Sequence, residues 1–343
     1  MRIVQVVPAG DPALGGVGAY AAALGRELAG RWGIESELVA AGDSLRGNAL
    51  GAATCLLHYA NYAYQPRGCP LGLARDLRSW RLGGSPAGGR RLVTFFHEVY
   101  ATGPFWRSSF WLAPVQRRIA AELARASDRI ATSLDLYSRM LAGFFPRGPR
   151  EPIAVHPVFS TVGEPDSVPA LADREPSMLV FGGTGARSRA YGPERQALTA
   201  ACRSLGLGEI VDLGPPLASA LPAEVDGIPV RALGSLPATQ VSERMLAARA
   251  GFLAYPTDFL PKSSIFAAYC VHGLLPVCAG PGERADSVPY WTPDSPPGSL
   301  AAAQALADAA RSWYLGHSLA RQAESFRDLL AAGAAGAAGE KRE

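Results

Sequence analysis

Short runs rich in β-branched and aromatic residues alternate with longer alanine- and leucine-rich stretches of helical period, and the alternation occurs twice along the chain. No other feature constrains the fold as much. A strand followed by a helix that packs back on the sheet builds a parallel sheet covered on both faces. In the first half the strand candidates are 2–7, 36–40, 54–58, 92–96, 129–132 and 153–155, with helical patterns at 17–31, 72–81, 114–126 and 134–142. The pattern restarts with strands at 178–181, 210–213, 251–255 and 275–279, and helices at 194–205, 239–248, 265–272, 300–314 and 318–331. Between the halves, 146–175 is rich in Pro, Gly and Asp and reads as a linker.

A length of 343 residues suits two domains, each able to bury a core. The expected division is a first α/β/α domain over 1–150, a linker over 151–176, a second over 177–316, a C-terminal helix over 317–332 and a low-complexity tail over 333–343. Two Rossmann-like domains imply a cleft between them.

Hydrophobic residues make up 48% of the chain and charged residues 18%, with a net charge of +3, the profile of an ordinary globular protein. Nucleic acid is therefore not an expected partner. The cysteines Cys55, Cys69, Cys202, Cys270 and Cys278 are scattered without a C-x-x-C pair, and are expected to be reduced and mostly buried. The N-terminal apolar run is too short for a signal peptide, and no stretch of 18 apolar residues occurs, so the expected location is cytoplasmic. Trp106, Phe110 and Trp111 with Arg107, Arg117 and Arg118 form an aromatic and basic stretch that reads either as a peripheral membrane contact or as a core helix with a solvated face.

Three loops follow strand candidates and carry ligand-binding chemistry. The first contains Gly15 and Gly16; Gly16-Val17-Gly18-Ala19-Tyr20-Ala21 matches G-x-G-x-x-A, but it stands too far from its strand for a dinucleotide fingerprint, and no acidic residue ends the second strand. The second is Gly182-Gly183-Thr184-Gly185-Ala186-Arg187-Ser188-Arg189, where a glycine-rich backbone can approach a phosphate and two arginines can pair with it. The third is Thr257-Asp258-Phe259-Leu260-Pro261-Lys262-Ser263-Ser264, before a helix. Lys262 and Lys341 are the only lysines of the chain, and a lysine with two serines at a helix start completes an anion site unless Ser263 or Ser264 merely caps the helix. His97 and Glu98 follow the strand at 92–96, at a carboxyl end where open α/β sheets bind ligands.

Taken together these segments resemble the GT-B glycosyltransferases, within the retaining clan of glycogen-synthase-like and mannosyltransferase-like enzymes. The carriers are Gly15 through Leu24, Phe96-His97-Glu98, and above all Ala254-Tyr255-Pro256 through Lys262 to Gly273-Leu274-Leu275-Pro276-Val277. The resemblance covers nearly all of the chain before the tail. It implies a nucleoside-diphosphate sugar as donor substrate, no other cofactor and no metal, with donor held mainly by the second domain and an acceptor by the first. Arg187 and Lys262 would neutralise the diphosphate. Gly15, Gly16, Gly183, Thr184, Gly185, Ser263 and Ser264 would line its cradle, and His97 or Glu98 would lie near the transferred sugar. The acceptor could be a polysaccharide, a lipid-linked glycan or a small molecule. One departure stands out: the clan's two glutamates, eight positions apart, fall here on Leu260 and Ala268. The rival readings are a noncatalytic GT-B-like protein that binds a nucleotide sugar or a partner transferase, and a nucleotide-sugar epimerase, which would need paired acids that these loops do not supply.

Overall fold

The computed structural model describes residues 1–9, 16–41, 53–83, 89–102, 108–149, 151–283, 288–295 and 297–331. It divides into one unit of Met1–Pro157 with the chain from Leu319 onward, and a second of Val158–Ser318.

The first unit runs β1 (Arg2–Val7), α1 (Gly16–Trp32), β2 (Glu35–Ala40), β3 (Thr54–Tyr59), α2 (Asn61–Tyr64), α3 (Leu71–Leu82), β4 (Arg91–Phe96), α4 (Ser108–Ala126), β5 (Arg129–Thr132), α5 (Asp135–Ala142) and β6 (Ala154–Val155). Its sheet has the order β2-β1-β3-β4-β5-β6, and every pairing is parallel. Central strands carry continuous apolar runs because helices cover both faces: five of six residues are buried in each of β1, β3 and β4, against none in the edge strand β2. On α1, Tyr20, Ala21, Ala23, Leu24 and Leu28 are buried, the three- and four-residue spacing of a single helix face.

In the second unit the order is β7 (Glu175–Phe181), α6 (Thr184–Tyr191), α7 (Arg195–Ser204), β8 (Glu209–Leu213), β9 (Glu224–Val225), β10 (Ile228–Gly234), α8 (Ala238–Ala247), β11 (Ala248–Ala254), a 3-10 turn at Thr257–Lys262, α9 (Ser264–Val271), β12 (Leu275–Ala279) and α10 (Leu300–Leu315). Its sheet, β12-β11-β7-β8-β10-β9, is parallel except for β9. α9 is buried from Phe266 to Val271, as its all-round apolar sequence requires.

The structure departs from the sequence expectations in several places, among them the short elements α2 and β9 and the helix α6. β10 has no counterpart among the expected strands because Pro229 and Gly234 argue against a strand; Pro229 is tolerated beside the two-residue β9 near the sheet edge. Ala154–Val155 extends the first sheet beside β5, in line with the strand candidate at 153–155, and Leu171–Asp173 forms a 3-10 turn within the stretch read as linker. Finally, α11 (Leu319–Ala331) belongs to the first unit instead of closing the second. Its Gln322 accepts from the Tyr20 hydroxyl at 2.5 Å and donates to the Pro157 carbonyl at 2.6 Å, while Phe326 packs edge-on against Phe95.

Candidate functional sites at the carboxyl edges of the sheets

Within the second unit, four loops leave the same edge of one parallel sheet and touch one another. Gly182, directly after β7, has φ +132°, and a Cβ there would lie 2.3 Å from Cδ1 of Ile265 on α9. Gly214, after β8, has φ +152°, and its Cβ would meet the Gly182 carbonyl oxygen at 2.2 Å. Both positions need glycine for conformation and for space. The loop after β12 closes on the 3-10 turn through the Thr257 amide, donating to the Pro281 carbonyl at 3.1 Å, and the Thr257 hydroxyl, donating to the Glu283 carbonyl at 3.0 Å.

Local sequence explains what each loop presents. α6 begins at Thr184, so Thr184, Gly185 and Arg187 lie in a helix and not in an open loop, with Gly183 at its N-cap. Gly183, Thr184 and Gly185 are exposed, and the first-turn N–H groups of α6 have no intrahelical acceptors. Arg187 is buried, and its hydrogen bonds go to groups of the protein. Its Nε donates to Asp212 Oδ2 at 2.9 Å, its Nη2 pairs with Asp212 Oδ1, and its Nη1 binds the Pro215 carbonyl. Asp212 on β8 also accepts from the Tyr191 hydroxyl at 2.9 Å, which together with burial raises the Tyr191 pKa. The Arg187 fork is thus occupied by acceptors of the protein itself. The exposed cation of this helix is Arg189, whose Nε donates to the Ala254 carbonyl at 3.0 Å, at the very end of β11.

Lys262 ends the 3-10 turn, half-buried, with Nζ 5.5 Å from the centroid of the Phe259 ring. Ser263 takes the capping role that the sequence left open. It is buried, and its hydroxyl caps α9 by accepting from the Phe266 amide at 3.2 Å. Ser264, half-buried, opens the helix beside it. Leu260 and Ala268, at the places where the resemblance expects glutamates, are fully buried. Exposed carboxylates on this edge come from Asp258 and Glu283, neither of which sequence reasoning singled out.

On the first unit, Gly15 lies outside the described residues, and Gly16 is the exposed first residue of α1. His97 and Glu98 follow β4, their amides both donating to the Tyr59 carbonyl at the end of β3, at 2.8 and 3.3 Å. His97 Nε2 lies 3.3 Å from Nδ1 of the buried His58, whose Nε2 lies 2.7 Å from Gln5 Oε1. Gln5 Nε2 donates to the Ala21 carbonyl at 3.0 Å, so its Oε1 must accept from His58. Burial pushes the His58 pKa down to about 3 and keeps the ring neutral, so its Nδ1 accepts a proton from His97 Nε2. In neutral His97 the lone pair therefore resides on Nδ1. Tyr20 and Phe95 hold the His97 ring edge-on, with centroids 5.1 and 4.4 Å away. Sequence reasoning found His97 but not Gln5 or His58, although a histidine at the end of one strand and another just past the next was the available signal.

Of the membrane-contact stretch, Trp106 and Arg107 lie outside the described residues, as does the Phe110 side chain, while Trp111, Arg117 and Arg118 are exposed on α4. Among the described residues, no helix is long and apolar enough to cross a membrane, and no three His, Cys, Asp or Glu side chains gather where they could share a metal ion. Cys55, Cys202, Cys270 and Cys278 are buried thiols.

No protein-family model and no curated protein sequence matches the chain. Solved structures do. An alpha-glucosyltransferase in complex with UDP-glucose and DNA containing an abasic site aligns at 12% identity and TM-score 0.62, over 96% of this chain and 99% of that one. A structure described as trehalose-6-phosphate from E. coli bound with UDP-2-fluoro glucose aligns at 11% identity and TM-score 0.60, over 96% and 99%. WaaG, a glycosyltransferase involved in lipopolysaccharide biosynthesis, aligns at 12% identity and TM-score 0.53, over 96% and 100%. The two α/β/α units thus have the GT-B fold shared with nucleotide-sugar glycosyltransferases.

Proposed function

We propose that this protein is a glycosyltransferase that moves a sugar from a nucleoside-diphosphate donor, with UDP as the first nucleotide to test, because similar structures are described as holding UDP or UDP-sugars. The observation that carries the reading is the second sheet's carboxyl edge: a glycine turn, the start of α6, Arg189 and the Lys262–Ser264 turn come from loops that touch one another. Transfer builds negative charge on the departing diphosphate, and preorganised cations and backbone N–H groups stabilise that charge without metal. Lys262 and Arg189 fill this role in the proposal, with Arg187 holding the scaffold beneath them. With no glutamate at Leu260 or Ala268, the ribose hydroxyls fall to Asp258 or Glu283.

The acceptor belongs to the first unit in this reading, at the carboxyl edge that carries His97 and Glu98. The leaving phosphate takes the acceptor's proton, and the anomeric configuration is retained. Inversion would instead employ His97 or Glu98 as base, and the anomer formed, read by NMR, separates the two. We place the reaction in the cytoplasm, with glycans and lipid-linked sugars as the first acceptors. DNA belongs in the acceptor panel because a similar transferase was solved with it.

The test is a melting-temperature panel of UDP-, GDP-, ADP- and TDP-sugars with EDTA present, followed by assays of donor hydrolysis. Ligand at a hundred times its Kd stabilises by about 2.7 kcal/mol. One nucleotide should stabilise, and Lys262→Ala should weaken its binding about tenfold or more while the fold is kept. No shift with any donor sinks the reading. Binding without hydrolysis or transfer favours a noncatalytic nucleotide-sugar binder, the alternative supported by Leu260 and Ala268.

A further inference from the structure

At the opposite, amino edge of the first sheet lies a cavity of about 660 Å³ that the proposed transfer reaction does not use. It is formed by the last turns of α3 and α4 and by the starts of β4 and β5. Arg91 opens β4 and His97 follows its end, so cavity and histidine are separated by about 20 Å of extended strand.

Five arginines line this cavity, Arg81, Arg90, Arg91, Arg125 and Arg129, against two carboxylates, Asp128 and Glu151. Arg81 binds both oxygens of Asp128 at 2.6 Å, and Asp128 also accepts from the Leu92 amide. Glu151, half-exposed, lies 3.3 Å from Arg129. Both acids are thus engaged. Arg125 donates only to the Phe144 carbonyl among the described residues, and Arg91 to the Leu329 carbonyl, leaving Arg91 Nε buried without an acceptor. Arg90 lies over the Trp80 ring. Helix C-termini favour cations, which accounts for Arg81 and Arg125 at the last turns of α3 and α4. It does not account for Arg90, Arg91 and Arg129 at strand starts. Burial lowers the Arg91 pKa, and the Arg129 and Arg81 charges lower it further against the pull of Asp128, so the cluster is held together at a cost.

From this surplus of guanidinium groups around one cavity we infer that the amino edge of the first unit is a second binding site, for a ligand bearing phosphoryl groups. Guanidinium forks match phosphate oxygens in pairs, and the volume lies in the range of small-molecule sites, larger than one oxyanion fills. The ligand is a soluble phosphate ester or the headgroup of an anionic lipid; both present the same oxygens.

Calorimetric titration of the full chain with inorganic pyrophosphate at low salt tests the site, using wild type, Lys262→Ala, Arg125→Gln and Arg129→Gln, each verified as folded by circular dichroism. A binding event should survive Lys262→Ala, weaken about tenfold in each arginine variant, and fade as salt is raised. Vesicles of phosphatidylglycerol against phosphatidylcholine then separate the sources: vesicle binding that needs Arg125 and Arg129 assigns the phosphoryl group to lipid, and pyrophosphate binding without it assigns a soluble ester. The inference is overturned if no event survives Lys262→Ala, or if the surviving event is indifferent to both arginine substitutions. It stands or falls independently of donor binding at Lys262.

Discussion

The carboxyl edges of the two sheets solve different problems with similar topology. On the first unit, Gln5, His58 and His97 form a buried chain of hydrogen bonds in which His58, kept neutral by burial, accepts from His97 Nε2. On the second, the charged pair Arg187–Asp212 is buried, Arg189 and the start of α6 are exposed, and Lys262 is half-buried. In the proposed reading the first edge meets uncharged hydroxyls, and the second, with cations over an internally neutralised base, meets a polyanion. Having the same parallel architecture therefore does not make the two edges interchangeable.

The sharpest way to break this comparison is to unpair the buried ions of the second unit. Asp212→Ala leaves Arg187 charged, buried and without its carboxylate, which should cost about 3–5 kcal/mol in urea unfolding. Arg189→Ala should leave the unfolding free energy in urea within about 0.5 kcal/mol of wild type, as for an exposed side chain, while weakening donor binding. If the two variants behaved alike, the division between scaffold and ligand cation would be wrong.

Acid sharpens it next. His58 on the first unit and His272 on the second are held neutral by burial, with pKa values pushed down to about 3 and about 4. Below the ordinary histidine value of 6.5 the unfolded chain binds protons that the folded chain refuses, so stability falls as pH drops. Each ring should contribute a slope approaching 1.4 kcal/mol per pH unit between about 6 and its own folded value. The two windows are distinguishable: His272→Gln should flatten the profile above pH 4 only, whereas His58→Gln should also flatten it below 4. Unfolding midpoints that stay constant from pH 6.5 to 4 in wild type would refute the neutral chain.

A smaller effect tests the serines. Ser263→Ala removes the α9 cap and should cost about 1 kcal/mol with little loss of donor affinity, because its hydroxyl is turned inward. A tenfold loss of affinity at unchanged stability would return Ser263 to the phosphate site.

Much of this was legible along the chain. Most strand and helix positions follow from period, though not β10 or α6, and the strand ends at Phe96, Phe181 and Ala254 come within a residue of their reading because apolar runs stop at glycine, proline or polar residues. The candidate site was legible only in part. Lys262 stands out by being nearly the only lysine, and His97 by its strand end. Arg187 and Arg189 could not be told apart: residues two apart on a helix point about 200° from each other, so which one faces the core depends on where α6 starts. Reading Gly182–Arg189 as one open loop hid that start.

Sequence alone determined the class of the fold, because hydrophobic period is local and a twice-repeated strand and helix alternation leaves few architectures that bury every apolar face. Tertiary structure alone decided which charges are spent and which are spare. Asp212 lies 25 residues from Arg187, His58 lies 39 from His97, and the Leu329 carbonyl that holds Arg91 is 238 residues away. Whether an ionised group serves the fold or a ligand depends on what packs beside it, and packing joins residues that the linear order keeps apart.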